Sequence, residues 1–280
     1  MRTVACVLML IVMGVLLAQD KIFVCPMDPD VRSNKEGVCS RCGMKLVAGL
    51  PDPIEYPMDL TISPRKLAPG EKAKLDFLVR DPWKSRPVTS FQVVHEKLFH
   101  MFVVSQDMQF FVHDHPTFQG DGNFVYDIAF PKPGMYRVLG DFYPDGATPQ
   151  LIAKTVIVPG AAPAPAKLQR DYSTKNVENM QVAVTTDPPQ PLVGQKTQIY
   201  FRLNPADGLE KYLGAWAHML AGSDDLIDLI HTHPLIADGG PQVEFSLVFP
   251  RAHIYRVWVQ FQRKGVVNTA HFDIPVTELR

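Results

Sequence analysis

From about residue 56 onward the chain falls into short apolar runs rich in β-branched and aromatic residues. Six of them, at 74–79, 99–104, 110–113, 124–130, 135–142 and 151–158, recur about every ten residues between Pro, Gly and Asp. Runs of that length with turn residues between them predict strands, and no window sustains a 3.6-residue period between helix caps, so helix is expected to be scarce. The pattern then repeats. The 17 residues His100–Pro116 align without a gap on His218–Pro234, with seven identical columns that include three histidines. Downstream, Phe130-Pro131 and Tyr136-Arg137-Val138 match Phe249-Pro250 and Tyr255-Arg256-Val257, the offset moving only from 118 to 119. The chain therefore carries an internal duplication. At roughly 100 residues per copy with this strand rhythm, each copy is expected to be an immunoglobulin-like antiparallel β-sandwich. The copies span 56–158 and 172–280, and the Pro/Ala-rich stretch 159–171 reads as an extended, fairly stiff linker.

Composition agrees. The 25 prolines in 280 residues are well above the ordinary ~5% share and suit strands and turns. With 28 Lys+Arg against 29 Asp+Glu, and no basic block, nucleic acid is not an expected partner. Residues Val4 to Ala18 form an apolar run of about 15 residues, short of the ~20 a membrane span needs and suited to a signal peptide over 1–19. Leu16 stands where cleavage favours a small residue, so an uncleaved membrane anchor is the alternative. Either way the mature protein is expected in the periplasm or outside the cell.

Export leaves three cysteines, Cys25, Cys39 and Cys42, all within the segment 22–48. An odd number cannot close into pairs, and such clustering reads as a site. A Cys-x2-Cys turn aims two thiolates at one point, Gly43 lets the backbone fold tightly behind them, and Cys25 supplies a third soft ligand for Zn²⁺ or Cu⁺. A fourth position is left open or filled by Asp28, Met27 or Met44. The competing reading is a Cys39–Cys42 or Cys25–Cys42 disulfide. Cys25-Pro26-Met27, Pro29, Gly37, Cys39, Cys42-Gly43-Met44 and Leu46 resemble the heavy-metal-binding domain, whose pattern is Cys-Pro-Met-His-Pro, a loop, then Cys-Pro-x-Cys-Gly-Met-x-Leu. That domain accompanies copper and silver efflux adaptors and metal-transporting ATPases. The sequence departs from it at Asp28, where the family has histidine, and at Ser40, where it has proline. A carboxylate is the harder ligand and favours zinc over monovalent copper.

The duplicated histidines are the second candidate site. With Gln106-Asp107 as a two-residue hairpin turn, His100 would lie directly opposite His113, with His115 two residues on along the same face. Asp224-Asp225 would do the same for His218, His231 and His233. Two three-imidazole sites are thus expected, one per repeat, with structural packing as the alternative. His95, His253 and His271 have no counterparts in the other copy and read as ordinary surface or core residues. Met101 and Met219 alternate away from the histidine face and read as core. Because both faces of the 99–113 hairpin are apolar, one should pack in its own sandwich and the other against the sister copy or the cysteine module. The repeats also resemble, in pattern, the YtkA-like family of exported immunoglobulin-like domains, which implies an extracytoplasmic binding domain.

Neither repeat contains a cysteine, which excludes a blue-copper centre, and the glutamate expected after the His-x-His of a cupin is missing. No phosphate loop or nucleophile elbow is present. Asp114 could act as a base beside the first triad, but Thr232 takes its place in the second. The expected function is metal binding without catalysis: handling copper, zinc or another heavy metal in buffering, delivery or resistance, with an efflux or delivery system as a partner. The alternatives are a non-catalytic adaptor and a three-histidine zinc hydrolase.

Overall fold

The computed structural model describes residues 22–28, 31–49, 53–235 and 238–279. The expected signal segment lies outside them. All regular structure among the described residues is β, so none of it is a helix long and apolar enough to cross a membrane.

Each repeat is a two-sheet sandwich. In the first, Met58–Ser63, Lys72–Val79, Asn123–Ala129 and Thr117–Phe118 form one sheet. Gln150–Val158, Gly134–Phe142, Phe99–Ser105 and Phe111–Asp114 form the other, in that order. The second repeat reproduces this. Gln181–Asp187, Lys196–Asn204 and Gln242–Val248 lie in one sheet, and Val266–Pro275, Ile254–Arg263, His218–Ser223 and Leu229–Thr232 follow one another in the other. All these pairings are antiparallel, as immunoglobulin-like topology requires. Both copies also carry a tyrosine whose hydroxyl donates to a carbonyl four residues upstream: Tyr136 to Lys132 at 2.8 Å and Tyr255 to Arg251 at 3.2 Å. That contact pins the corner leading into the strand that begins beside it.

The alternation along Lys72–Val79 shows why the sandwich closes. Ala73, Leu75, Phe77 and Val79 point inward and are buried, while Lys72 and Lys74 stay exposed. The strands that carry the histidines differ, because every residue of Phe99–Ser105 and of His218–Ser223 is buried. One face, with Met101 and Val103, belongs to the core of the first repeat, and Met219 and Ala221 belong to the core of the second. The other faces meet in a separate cluster of Phe102, Val104, Leu139, Leu220, Leu226 and Trp258. The two histidine-bearing sheets are therefore packed against each other. Phe111 and Trp258 stack across the contact at 5.1 Å and 6°. The linker runs along it, Ala166 donating its N–H to the Gln106 carbonyl at 3.2 Å.

The cysteine module is a small three-stranded antiparallel sheet of Arg32–Ser33, Phe23–Val24 and Val47–Ala48. It sits on the first repeat: Cys25, Cys39, Cys42, Met44 and Leu46 share one buried cluster with Val94 and Tyr143.

Candidate metal centres

In the cysteine module the turn 39–44 is closed by Gly43 N–H to the Cys39 carbonyl (2.9 Å) and Cys39 N–H to the Met44 carbonyl (2.7 Å). Gly43 has φ +80°, a left-handed conformation that a side chain would strain. The loop after Phe23–Val24 returns through Cys25 N–H to the Val31 carbonyl at 3.0 Å. Together these turns bring Cys25, Cys39, Cys42 and Asp28 close enough that one donor atom from each lies within 4.8 Å of all the others. The Sγ atoms of Cys25 and Cys42 are 3.5 Å apart, and Asp28 Oδ2 is 3.5 Å from the sulfur of Cys39. The three thiols are free.

Backbone N–H groups of Asp28 and Arg41 donate to the sulfurs of Cys25 (3.2 Å) and Cys39 (3.4 Å), which favours thiolate. The second oxygen of Asp28 is held by Arg41 at 2.9 Å. The hydrogen bond from Cys42 holds the Cys25 thiol down to about 6, while burial pushes Cys39 up and the same Cys25 contact pushes Cys42 up. Met44 is buried within the apolar cluster and Met27 packs against it. Asp28, the departure from the heavy-metal-binding pattern, thus stands among the thiols.

The histidines are arranged otherwise than the hairpin register predicts. Phe102, not His100, is opposite His113, and Leu220, not His218, is opposite His231. Each turn has four residues instead of two. Ser105 N–H donates to the Phe110 carbonyl, Asp107 accepts from the Ser105 hydroxyl, and Met108 takes a positive φ of 53°. Ser223, Asp225 and Leu226 (φ 54°) repeat the arrangement. A shift of two residues keeps side chains on their original face, so the histidines still converge, but diagonally: His100 Nδ1 is 3.3 Å from His113 Nε2 and 3.2 Å from His115 Nε2.

They also converge across the repeats. The two groups with mutually close nitrogens are His100, His113 and His218, which spans both copies, and His218, His231 and His233. His115 adjoins the first group through His100 without belonging to it. His95, read from sequence as an ordinary residue, is part of the cluster, its ring 3.9 Å from that of His233. Its column in the second copy holds Leu213, so the duplication gave no signal for it. His253 is engaged by Asp224 at 2.6 Å and by Arg251 at 3.0 Å, outside the cluster, and His271 lies across from Trp258. Asp114 accepts from the Tyr126 hydroxyl at 2.6 Å.

Burial favours the neutral form of six of these imidazoles. It pulls His95 and His100 down to about 4 and His115 to about 3, and holds His113, His218 and His233 well below the usual value. Neutral imidazole is the ligating form. Four buried imidazole nitrogens, on His95, His218, His231 and His233, have no hydrogen-bond partner. Leaving such atoms unpaired costs ~1–3 kcal/mol each, and a metal ion would satisfy them.

Two family models match the chain. The model described as a domain of unknown function (DUF8832) matches twice, at 55–159 and 175–278, once per sandwich. The chain belongs to the DUF8832 family. The heavy metal binding domain model matches residues 22–48, the cysteine module. Among solved structures, the adhesin InvE of Yersinia pseudotuberculosis is 15% identical with a TM-score of 0.26, the alignment covering 78% of this chain and 58% of that one. The Escherichia coli adhesin FdeC is 14% identical with a TM-score of 0.27, over 82% of this chain and 67% of that one. No curated protein matches the chain.

Proposed function

We propose that this protein is an exported metal carrier that binds a soft or borderline transition ion, copper or zinc, as cargo outside the cytoplasm, for buffering, delivery or resistance. The observation that carries the reading is the gathering of three free thiols and Asp28 within 4.8 Å of one another in a module that matches the heavy metal binding domain. The Cys25–Cys42 separation of 3.5 Å is close to the ~3.8 Å edge of a tetrahedron with ~2.3 Å metal–sulfur bonds. Three thiolates suit copper and zinc, and the carboxylate moves the preference toward zinc. The histidine cluster offers a second, all-nitrogen environment. Binding is favoured over hydrolysis because Asp114, the base considered beside the first triad, is committed to Tyr126.

The test is the metal content of the purified mature protein, compared with Cys39→Ser/Cys42→Ser and His113→Ala/His115→Ala variants. The native protein is expected to retain metal, and the cysteine variant to lose the sulfur-bound ion. Native protein that takes up neither copper nor zinc would overturn the reading. Cell fractionation checks export, and recovery in the cytoplasm would refute it.

A further inference from the structure

The hydrogen bonds of the histidines are reciprocal between the two repeats. His100 Nε2–H donates to the Val94 carbonyl at 3.1 Å, and its counterpart His218 Nε2–H to the Tyr212 carbonyl at 2.9 Å. His113 Nδ1–H donates to Gln260 Oε1 of the other repeat at 2.7 Å, and its counterpart His231 Nδ1–H to Asp141 of the first repeat. Gln260 and Asp141 are themselves counterparts, offset by 119. The Gln260 amide is oriented by its own donation to Thr269 at 3.1 Å. Each of these four rings thus spends one nitrogen on a carbonyl, amide or carboxylate acceptor, which is how ligating histidines are held.

The remaining nitrogens of these rings converge between the repeats. With His100 Nε2 and His113 Nδ1 given to those acceptors, His100 Nδ1 and His113 Nε2 stand 3.3 Å apart, and His115 Nε2 lies 3.2 Å from the same His100 nitrogen. The former separation matches the ~3.3 Å edge of a tetrahedron with metal–nitrogen bonds of ~2.0–2.1 Å. His218 has one lone pair, on Nδ1, and both groups of three need it.

We infer that the cluster is one metal centre between the repeats, holding a single ion in either of two overlapping positions that share His218. The outer position is His218, His231 and His233, with His95 alongside. The inner one is His100, His113 and His218. His231 and His233 line a cavity of about 740 Å³ that Cys42 and Asp28 also line, so an ion leaving the cysteine module reaches the outer position within the same cavity. Segment 94–95 joins the two sites: the Val94 side chain packs on the cysteine cluster, its carbonyl holds His100, and the His95 ring faces His233. Each position offers three imidazole nitrogens with no thiolate or carboxylate among them, and between the repeats a divalent ion would cost more desolvation than a monovalent one. Cu⁺ is the ion that fits. The inference rests on the metal-carrier reading above.

The test uses the full-length mature protein with Cys25→Ser/Cys39→Ser/Cys42→Ser, titrated anaerobically with Cu⁺ against a chromogenic Cu⁺ chelator. One ion per chain is expected. Adding His113→Gln or His233→Gln singly should each leave one ion, and adding both should remove it. Two ions per cysteine-free chain would overturn the shared centre while leaving the carrier reading intact. No ion would overturn the histidine site, while the cysteine module is judged separately by the metal it holds in the native chain. Should the histidine variants fail to fold, X-ray absorption of the cysteine-free protein with one equivalent of Cu⁺ decides. Imidazole nitrogen alone around copper is expected, and a shell without imidazole refutes the centre.

Discussion

Asp141 is a buried carboxylate, at 4% exposure, near the end of the strand Gly134–Phe142, and it holds His231 from the opposite repeat. A carboxylate on the far nitrogen raises the basicity of an imidazole and fixes its tautomer. Asp141→Asn keeps an acceptor but removes the charge, so metal affinity of the histidine cluster should fall by ~10–100-fold with the fold intact. Chelator competition measures the fall, and unchanged affinity would mean that Asp141 serves only packing. The thiols support a second prediction at this scale. Cys25 is held down to about 6, whereas Cys39 and Cys42 are raised. At pH 7.5 the module should therefore release about two protons per ion bound, since ligating thiols must be deprotonated. Calorimetry in buffers of different ionisation enthalpy counts them, and a value near zero would show all three already ionised.

Among the strands, Trp258 is buried in the contact between repeats and stacked on Phe111. Trp258→Ala should cost ~3–5 kcal/mol, the range for truncating a large aromatic in a core, read from urea denaturation followed by circular dichroism. A loss under 1 kcal/mol would mean that the sheets barely depend on each other. How far such features could be read from sequence depends on whether they are local. The alternation in Lys72–Val79 and the aligned histidine columns are local, and they revealed the sandwiches, the duplication and the face on which the histidines lie. The register was misread by two because the residues that make the four-residue turns, Met108 and Leu226 at positive φ, are types that do not advertise that conformation. What allows them is the pair of serine hydroxyl–aspartate contacts, Ser105–Asp107 and Ser223–Asp225. His95, Asp141 and Gln260 were missed for a different reason: their partners lie on the other repeat or in the second copy's histidines, and nothing within one copy says which sheets will meet.

At the scale of the whole molecule, six buried or half-buried imidazoles with lowered proton affinity make stability depend on pH. Free histidine titrates near 6.5, while burial holds His95 and His100 down to about 4, His115 to about 3, and His113, His218 and His233 well below the usual value. Above about pH 6.5 both folded and unfolded chains leave these groups neutral, and they contribute no pH dependence. As the pH falls from 6.5 toward 4 the unfolded chain takes up protons that the folded one refuses, so stability is lost in that window. Each group steepens the loss by up to ~1.4 kcal/mol per pH unit, against a total stability of ~5–15 kcal/mol for a domain. Separating the repeats hydrates the imidazoles without melting either sandwich, since Phe77, Phe201 and the other core residues lie in clusters of their own. The metal-free protein should therefore open at the contact between repeats before its strands unfold. Scattering should show an increased radius of gyration, and the 159–171 linker should become open to proteolysis, between pH 6.5 and 4 with the far-ultraviolet circular dichroism unchanged. An ion bound by the inward lone pairs competes with those same protons, so loaded protein should stay closed to a lower pH. Metal-free protein that remains compact and equally stable down to pH 4 would mean that the imidazoles are not held neutral by burial between the sheets.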